Sequence, residues 1–486
     1  MSKQLLKQSA IYSLSKLVFF IASLISYPVL TKNLSVNEYG MVALFTITIG
    51  LMTSFMKFGI QHSIIRFKSD IVESDYISNV TFLFICIISI SVFCILTLLA
   101  PLSYFYKLNI FDSPLIMYII LASAVLQAIQ SFIFNILIAR EQSHSVTMLS
   151  AIYRSLTLIT MLVAILKIEA SSFSFLKSLI IADIIFIIFV ISWSLHKGYF
   201  KKFDTKRINK NTLETMLLFG IPMFGYEISN MVHAFIDRYM IEYFLGIEYL
   251  GLYSASYNMS TIISELIFGG LVIAVVPIYL RTWKEKGREE TEILLSNVIR
   301  ILLLLTPSII VGLYVVSKPL LGVLATDDYK ESAYLIPIIT LGTLFFTSSA
   351  IYAAGLQIKK DSKKLFHIVL ESTSINIVLN YLFISEYGLI AAALNTVISY
   401  LWMAIRFYFE SRKILHVHFD LNTLLRSLCY AFLMYLALFS IEFETDTYTL
   451  LARILIGTVL FTTLAYIFEK ELRESIIKLI RDARSR

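Results

Sequence analysis

The sequence predicts an all-α polytopic membrane protein of about 14 transmembrane helices, in two pseudo-symmetric six-helix lobes followed by two C-terminal helices. Three observations predict it. Of 486 residues, 58% are hydrophobic and 15% charged, with a mean hydropathy of +0.78, far from the roughly 45–50% apolar and roughly 25% charged of soluble domains. The apolar residues come in blocks of about 20 between short polar loops, the length a helix needs to cross roughly 30 Å of hydrocarbon, whereas a barrel shows alternating segments of about ten. Finally, NLSVNEYGMVAL at 33–44 returns, blurred, as FLGIEYLGLYSA at 244–255, aligning Leu34 with Leu245 and Gly40 with Gly251 at an offset of 211.

The expected spans are 10–31, 41–65, 80–101, 114–139, 147–167, 173–195, 214–241, 252–280, 291–316, 331–357, 364–385, 388–409, 423–441 and 447–468. Lys3 and Lys7 flank the first like a signal peptide, but its apolar run is too long and no small-residue cleavage site follows, so it reads as a retained helix. Moved by 211 residues, each of the first six spans falls within seven residues of its counterpart in the second six. An even number of helices separates the copies, so they share one orientation. Parallel repeats of this kind flank a substrate site in transporters that rock two halves for alternating access. The expected organisation is therefore a lobe at 1–196, a basic linker at 197–212, a second lobe at 213–410, and two extra helices with a basic tail at 411–486. In the tail, Leu472, Ile476, Ile477 and Ile480 share one face among basic residues, the pattern of a helix lying on an anionic leaflet.

Lys and Arg gather in cytoplasmic loops. With the amino terminus inside, 27 basic loop and terminal residues lie inside and six outside, which places both termini in the cytoplasm. Orientation thus accounts for the net charge of +7, and nucleic acid is not invoked. Cys86, Cys94 and Cys429 fall inside expected helices with no CxxC or Cys/His spacing, and read as buried inert thiols. The His416–His418 pair lacks further ligands for a metal. Neither a GxxxxGK[ST] loop nor a Gly-rich loop after a strand is present, so no nucleotide cofactor is expected.

Ionisable groups within a bilayer cost roughly 2.5–3.5 kcal/mol on insertion scales, and mark bundle interiors or wet cavities. The expected cases are Lys16, Lys57, Asp183, Glu227, Asp237, Arg238, Glu265 and Glu371, six of which sit on the first two helices of a lobe. Lys16 and Glu227 hold equivalent positions in the repeat, which suggests pairing across an interlobe cavity; snorkelling is the competing account of Lys16. Lys57 reads as an unpaired ammonium able to meet a phosphate. Glu265, mid-helix, must be paired, wet or protonated, which makes it a candidate proton carrier together with Glu227. Asp237 and Arg238 are open as a structural ion pair, a gate or a substrate contact. For Asp183 and Glu371 a structural role competes with ion coupling.

The segments YPVLTKNLSVNEYGMVALF (27–45), FGIQHSIIRF (58–67) and LLFGIPMFGYEISNMVHAFIDRYMIEYFLGIEYLGLYSASYNM (217–259) resemble the Wzx-type polysaccharide flippases, in the superfamily that also holds the MATE drug exporters and the lipid II flippase. The resemblance implies a non-enzymatic flippase of the bacterial cytoplasmic membrane that moves undecaprenyl-diphosphate-linked oligosaccharide outward for O-antigen or capsule-type polysaccharide. A polysaccharide polymerase and a chain-length regulator would be its partners, besides membrane lipids. Lys16, Lys57 and Arg238 match the cationic cavity expected for a diphosphate. The chain departs from that pattern in placing Glu227, Asp237 and Glu265 equally near, which suits sugar hydroxyls or coupling ions. Two alternatives stand beside it: a MATE-type cation exporter, and a non-transporting scaffold of a glycan-assembly complex.

Overall fold

A computed structural model describes residues 3–68, 70–105, 113–199 and 203–469, with side chains except at 3–17, 98–105, 270 and 272–274. Within them the long elements are helices: α1 (Lys3–Asn33), α2 (Val36–Lys57), α3 (Ile60–Phe67), α4 (Glu73–Phe105), α5 (Pro114–Ala139), α6 (Ser143–Val163), α7 (Ser172–His196), α8 (Lys210–Leu245), α9 (Ile247–Leu324), α10 (Leu335–Tyr352), α11 (Ala354–Ile358), α12 (Ser362–Arg412), α13 (Leu421–Phe439) and α14 (Asp446–Phe468). Small polar residues start many of them. The side chains of Ser35, Ser113, Ser171, Asn209, Asp420 and Thr445 each accept a backbone N–H of the first turn, a cap that stabilises by about 1 kcal/mol. Ten helices among the described residues are long and apolar enough to cross a membrane. Outward-facing Phe432, Leu436, Leu455 and Val459 leave apolar surface that hydrocarbon, not water, would cover.

The chain divides into two compact units, Met1–Ser254 with Lys359–Gly388, and Ala255–Ile358 with Leu389–Arg486. In the first, α1 packs on α6, α2 on α5 and α8, α3 on α8, and α5 and α6 on α7. Its interior includes Phe45, Ile49 and Met56 of α2 against Ile120 and Ala124 of α5 and Leu176 of α7. Phe84 and Phe132 stack with centroids 4.0 Å apart. In the second unit a row of serines at helical spacing knits α9 to the segment before and into α10. Ser256 donates to the Ser332 carbonyl at 2.8 Å, Ser260 to that of Ile336 at 3.0 Å, and Ser264 meets Thr343 at 2.8 Å. Several charges of this unit pair across elements. Arg300 lies 3.5 Å from Asp420 and 3.6 Å from Glu469, while Arg426 lies 3.5 Å from Glu469. Lys330 bridges Asp327 and Asp446 at 2.8 and 2.7 Å.

The repeated phrase makes a reciprocal contact within the first unit. A Cβ on Gly40 would stand 2.3 Å from the Ile247 carbonyl oxygen, and one on Gly251 would stand 2.1 Å from that of Val36. Val36 and Ile247 are themselves 211 residues apart, as Gly40 and Gly251 are. The contact is therefore self-complementary, the form a two-fold interface takes, with small residues letting two backbones approach.

The structure departs from the sequence reading at several points. The expected second span, 41–65, breaks after Lys57, where Phe58 and Gly59 take left-handed φ values of 43° and 73°. A Cβ on Gly59 would lie 2.1 Å from the Gly220 carbonyl oxygen, so the break lets α8 come close. Gly388, at φ 65°, divides α12 between the expected spans 364–385 and 388–409, and Gly287, at φ 82°, divides α9. Cys94 and Cys429 are free and exposed and Cys86 is half-buried, not the buried thiols expected, because a lipid-facing thiol needs no protein cover. The backbones at His416 and His418 donate to Glu292 and Ser296. The amphipathic tail lies outside the described residues.

Candidate functional site

The break between α2 and α3 builds the site. Because the chain turns at Phe58 and Gly59, Lys57 at the end of α2 and Gln61 and His62 in the first turn of α3 reach the same patch of α8. All three point to Glu227. Lys57 Nζ lies 2.7 Å from Glu227 Oε1, the Gln61 amide donates to Oε2, and His62 Nε2 lies 3.7 Å from Oε2. The Lys57 and Glu227 side chains are 18% and 19% exposed, so the pair is sheltered but open to a ligand. Below it Ser63 donates to the Met216 carbonyl at 2.7 Å, and Phe58 packs on Phe224 at 4.4 Å between centroids. Farther up, Thr48 and Tyr239 share a hydrogen bond of 2.8 Å, fixing the register of α2 against α8. Lys57 is thus not the unpaired ammonium that the sequence suggested. A carboxylate partner on a neighbouring helix lowers the cost of placing a cation there.

Of the other expected residues, Asp237 and Arg238 lie nearer the far end of α8, buried at 1% and 4% exposure. Tyr253 donates to Asp237 Oδ2 at 2.6 Å and the Arg238 backbone donates to Oδ1 at 2.8 Å. Asp183 is buried on α7, where Tyr153 donates to it at 2.7 Å and Gln127 at 3.4 Å. Glu371 lies on α12 beside Ser372 and Thr373, which meet His233 at 3.5 Å and the Ser229 carbonyl at 3.0 Å. Glu265 is exposed on the part of α9 that belongs to the second unit. Lys16 is on α1, but its side chain lies outside those described. Thus the structure brings Lys57 and Glu227 together, and sets Asp183, Asp237 and Glu265 among other neighbours.

Sequence reading missed Gln61 and His62. They fall in a span read as one continuous helix, where positions 57, 61 and 62 would share a face only in part; the signal available was the Phe58–Gly59 pair. It also passed over the in-span arginines. Arg154 lies over the Phe19 ring at 4.2 Å, and Arg453 donates to the Ile441 and Val315 carbonyls at 2.9 and 2.7 Å.

Comparison with known sequences assigns this apolar helical chain to a family. A family profile described as polysaccharide biosynthesis protein matches residues 5–283, 279 of the 486 residues. The chain belongs to the polysaccharide biosynthesis protein family. This family member is also matched over residues 222–382 by the MatE profile. It is 25% identical over 364 residues to an uncharacterised membrane protein of Methanocaldococcus jannaschii, covering 72% of this chain and 83% of that one. It is 21% identical over 194 residues to a probable low-salt glycan biosynthesis flippase of Haloferax volcanii, covering 40% and 39% of the two chains. Its fold is similar to that of the lipid II flippase MurJ in an inward closed conformation, with a TM-score of 0.71 at 16% identity, covering 96% of this polysaccharide biosynthesis protein and 99% of that chain. The chain is a multi-pass membrane protein.

Proposed function

We propose that the protein is a flippase that carries a lipid-linked oligosaccharide between leaflets by alternating access. In its specific form, undecaprenyl-diphosphate-linked repeat units pass from the cytoplasmic to the outer leaflet of a bacterial cytoplasmic membrane for O-antigen or capsule-type polysaccharide. A polymerase and a chain-length regulator then act on them. The observation that carries this reading is the Lys57–Glu227 contact in a chain of the polysaccharide biosynthesis protein family. It puts a cation, an anion and two further polar side chains at the end of a helix apolar enough to span a bilayer, where polar groups mark substrate paths. The similarity in fold to a lipid II flippase and the match to a glycan biosynthesis flippase support the same cargo class.

On this proposal residues 1–196 and 213–410 are the moving lobes, 197–212 joins them, 411–486 supplies the extra helices and tail, and both termini are cytoplasmic. The fourteen expected spans belong to the same proposal. Lys16, Lys57 and Arg238 serve the diphosphate, Glu227, Asp237 and Glu265 serve sugar hydroxyls, Asp237 and Arg238 together are the alternative gate, and Glu227, Glu265, Asp183 and Glu371 serve ion coupling. A second reading, a MATE-type cation exporter, is favoured by the MatE match across 222–382, which contains Glu227, Asp237, Glu265 and Glu371.

The test is a deletion strain whose lipids are examined by mass spectrometry alongside its surface glycan. Accumulated lipid-linked oligosaccharide with loss of the glycan is expected. Unchanged lipids and glycan with new sensitivity to cationic drugs would pass the case to the exporter. Lys57→Ala and Glu265→Ala are expected to keep membrane abundance and lower the glycan. Normal glycan from both would overturn the site assignment, and normal glycan from every charge-neutralised variant, with loss only on deletion, would favour a scaffold.

A further inference from the structure

The donor set around Glu227 has the chemistry of an oxyanion site that is already full. An ammonium, an amide N–H and an imidazole nitrogen converge on the two carboxylate oxygens, from Lys57 at 2.7 Å, from Gln61 and from His62 at 3.7 Å. Charge-assisted donors of this kind bind a phosphate oxygen as they bind a carboxylate. Gln61 and His62 stand on the corner where Gly59 meets Gly220, so one arrangement of the chain presents them to either partner.

A second observation points to a ligand. Gln61 is 8% exposed, and its Oε1 has no hydrogen-bond partner among the described residues. Buried polar atoms are nearly always satisfied, and an exception needs a reason. A glutamine placed only to hold Glu227 uses half of its amide; a ligand that brings a hydroxyl together with an oxyanion uses both halves. A sugar phosphate or sugar diphosphate has both groups on adjacent atoms.

We infer that Glu227 is an internal stand-in for the substrate phosphate: it occupies the Lys57–Gln61–His62 donors while the site is unloaded, and yields them when a glycosyl phosphate or diphosphate binds. This rests on the reading of the chain as a carrier of phosphate-linked glycan. The two anions compete, since the Gln61 amide and the Lys57 ammonium that hold Glu227 are the groups a phosphate would need and the two negative charges repel each other at close range. Glu227 therefore lowers the affinity of the loaded state by the strength of its own contact. Its return to the donors promotes release, which a carrier needs as much as capture.

The experiment uses the full-length protein in nanodiscs and farnesyl diphosphate as probe, with farnesol as the control lacking phosphate. Glu227→Gln is expected to bind farnesyl diphosphate about tenfold more tightly than the wild type, within the usual range of about 5–150-fold for coupled sites, with farnesol unchanged. Lys57→Gln is expected to bind it weakly, and Lys57→Gln with Glu227→Gln no better than Lys57→Gln alone. Glu227→Asp, which keeps the charge one methylene further back, is expected to fall between wild type and Glu227→Gln, and serves if Glu227→Gln does not fold. Equal or weaker binding by Glu227→Gln, a gain that survives loss of Lys57, or no binding by any variant would overturn the inference. A deletion strain with unchanged lipids and glycan would sink the flippase while leaving the binding result standing. Unchanged affinity in Glu227→Gln would sink the stand-in while leaving the flippase.

Discussion

Within one compact unit α2 meets the later helices at two places built on opposite principles. At one end Gly40 and Gly251 face the carbonyls of Ile247 and Val36, four residues related in pairs by the 211-residue repeat. At the other, Lys57 meets Glu227, and the repeat relates neither to the other: Phe268 stands where a second Lys57 would be, and Lys16 where a second Glu227 would be. The symmetric end is backbone against backbone, uncharged and closely packed. The asymmetric end is charged, partly open and carries a donor set. The residues that match at the 211-residue offset are those whose backbones have to fit, and those that carry charge do not match.

Gly251→Val strikes the symmetric end hardest. Its Cβ would lie 2.1 Å from a carbonyl oxygen, an overlap that no side-chain rotation relieves, so a loss of about 3 kcal/mol or more is expected. Membrane abundance and the thermal midpoint should both fall, as they should for Gly40→Val. Gly50→Ala is the contrast, with its nearest neighbour, Met231 Cε, 4.0 Å away, and should leave both unchanged. If Gly251→Val is tolerated, the reciprocal contact does not hold this end together.

At the asymmetric end Lys57→Ala leaves a sheltered carboxylate without its cation, at a cost of about 1–3 kcal/mol. The thermal midpoint of Lys57→Ala with Glu227→Gln should recover part of that loss, because the second change removes the charge left behind. Equal losses that simply add would show that the pair contributes nothing to stability. Tyr153→Phe asks whether a second buried acid behaves alike. It deletes only the hydroxyl that reaches Asp183 at 2.7 Å, and about 1 kcal/mol is expected.

The smallest effect concerns pH at a helix start outside both contacts. Asp420 is held below the usual carboxylate range by the Thr423 hydroxyl above all, then by the Thr423 backbone N–H and by Arg300. A carboxyl lowered on folding stabilises above its ordinary pKa of about 3.9 and loses that contribution as pH falls through the folded value. The thermal midpoint measured from pH 7 to pH 3 should therefore drop by a small increment that Asp420→Asn lacks, since asparagine keeps the cap but does not titrate. An identical profile for both proteins would remove Asp420 from the account.

Legibility varied with the range of the interaction. The helices and the Gly40–Gly251 correspondence were readable, because apolar run length and a missing side chain are properties of single segments. Lys57 and Glu227 were singled out as charges in apolar helices, but with the wrong account of Lys57, since no spacing rule connects residues 170 positions apart. Gln61 and His62 escaped because they matter only once the helix breaks, and a Phe–Gly pair in an apolar stretch is a weak break signal compared with proline. Arg300 escaped for a similar reason. Its partners Asp420 and Glu469 lie more than a hundred residues away, beyond the reach of any local pattern.

Composition and periodicity were enough to dictate a helical membrane chain, because burying backbone polar groups in hydrocarbon leaves few solutions. Which charges meet was decided by tertiary structure alone. Glu227 finds Lys57, Gln61 and His62 because Gly59 lets α3 turn against Gly220, 161 residues away, and that approach depends on two backbones meeting in space, which neither local sequence specifies.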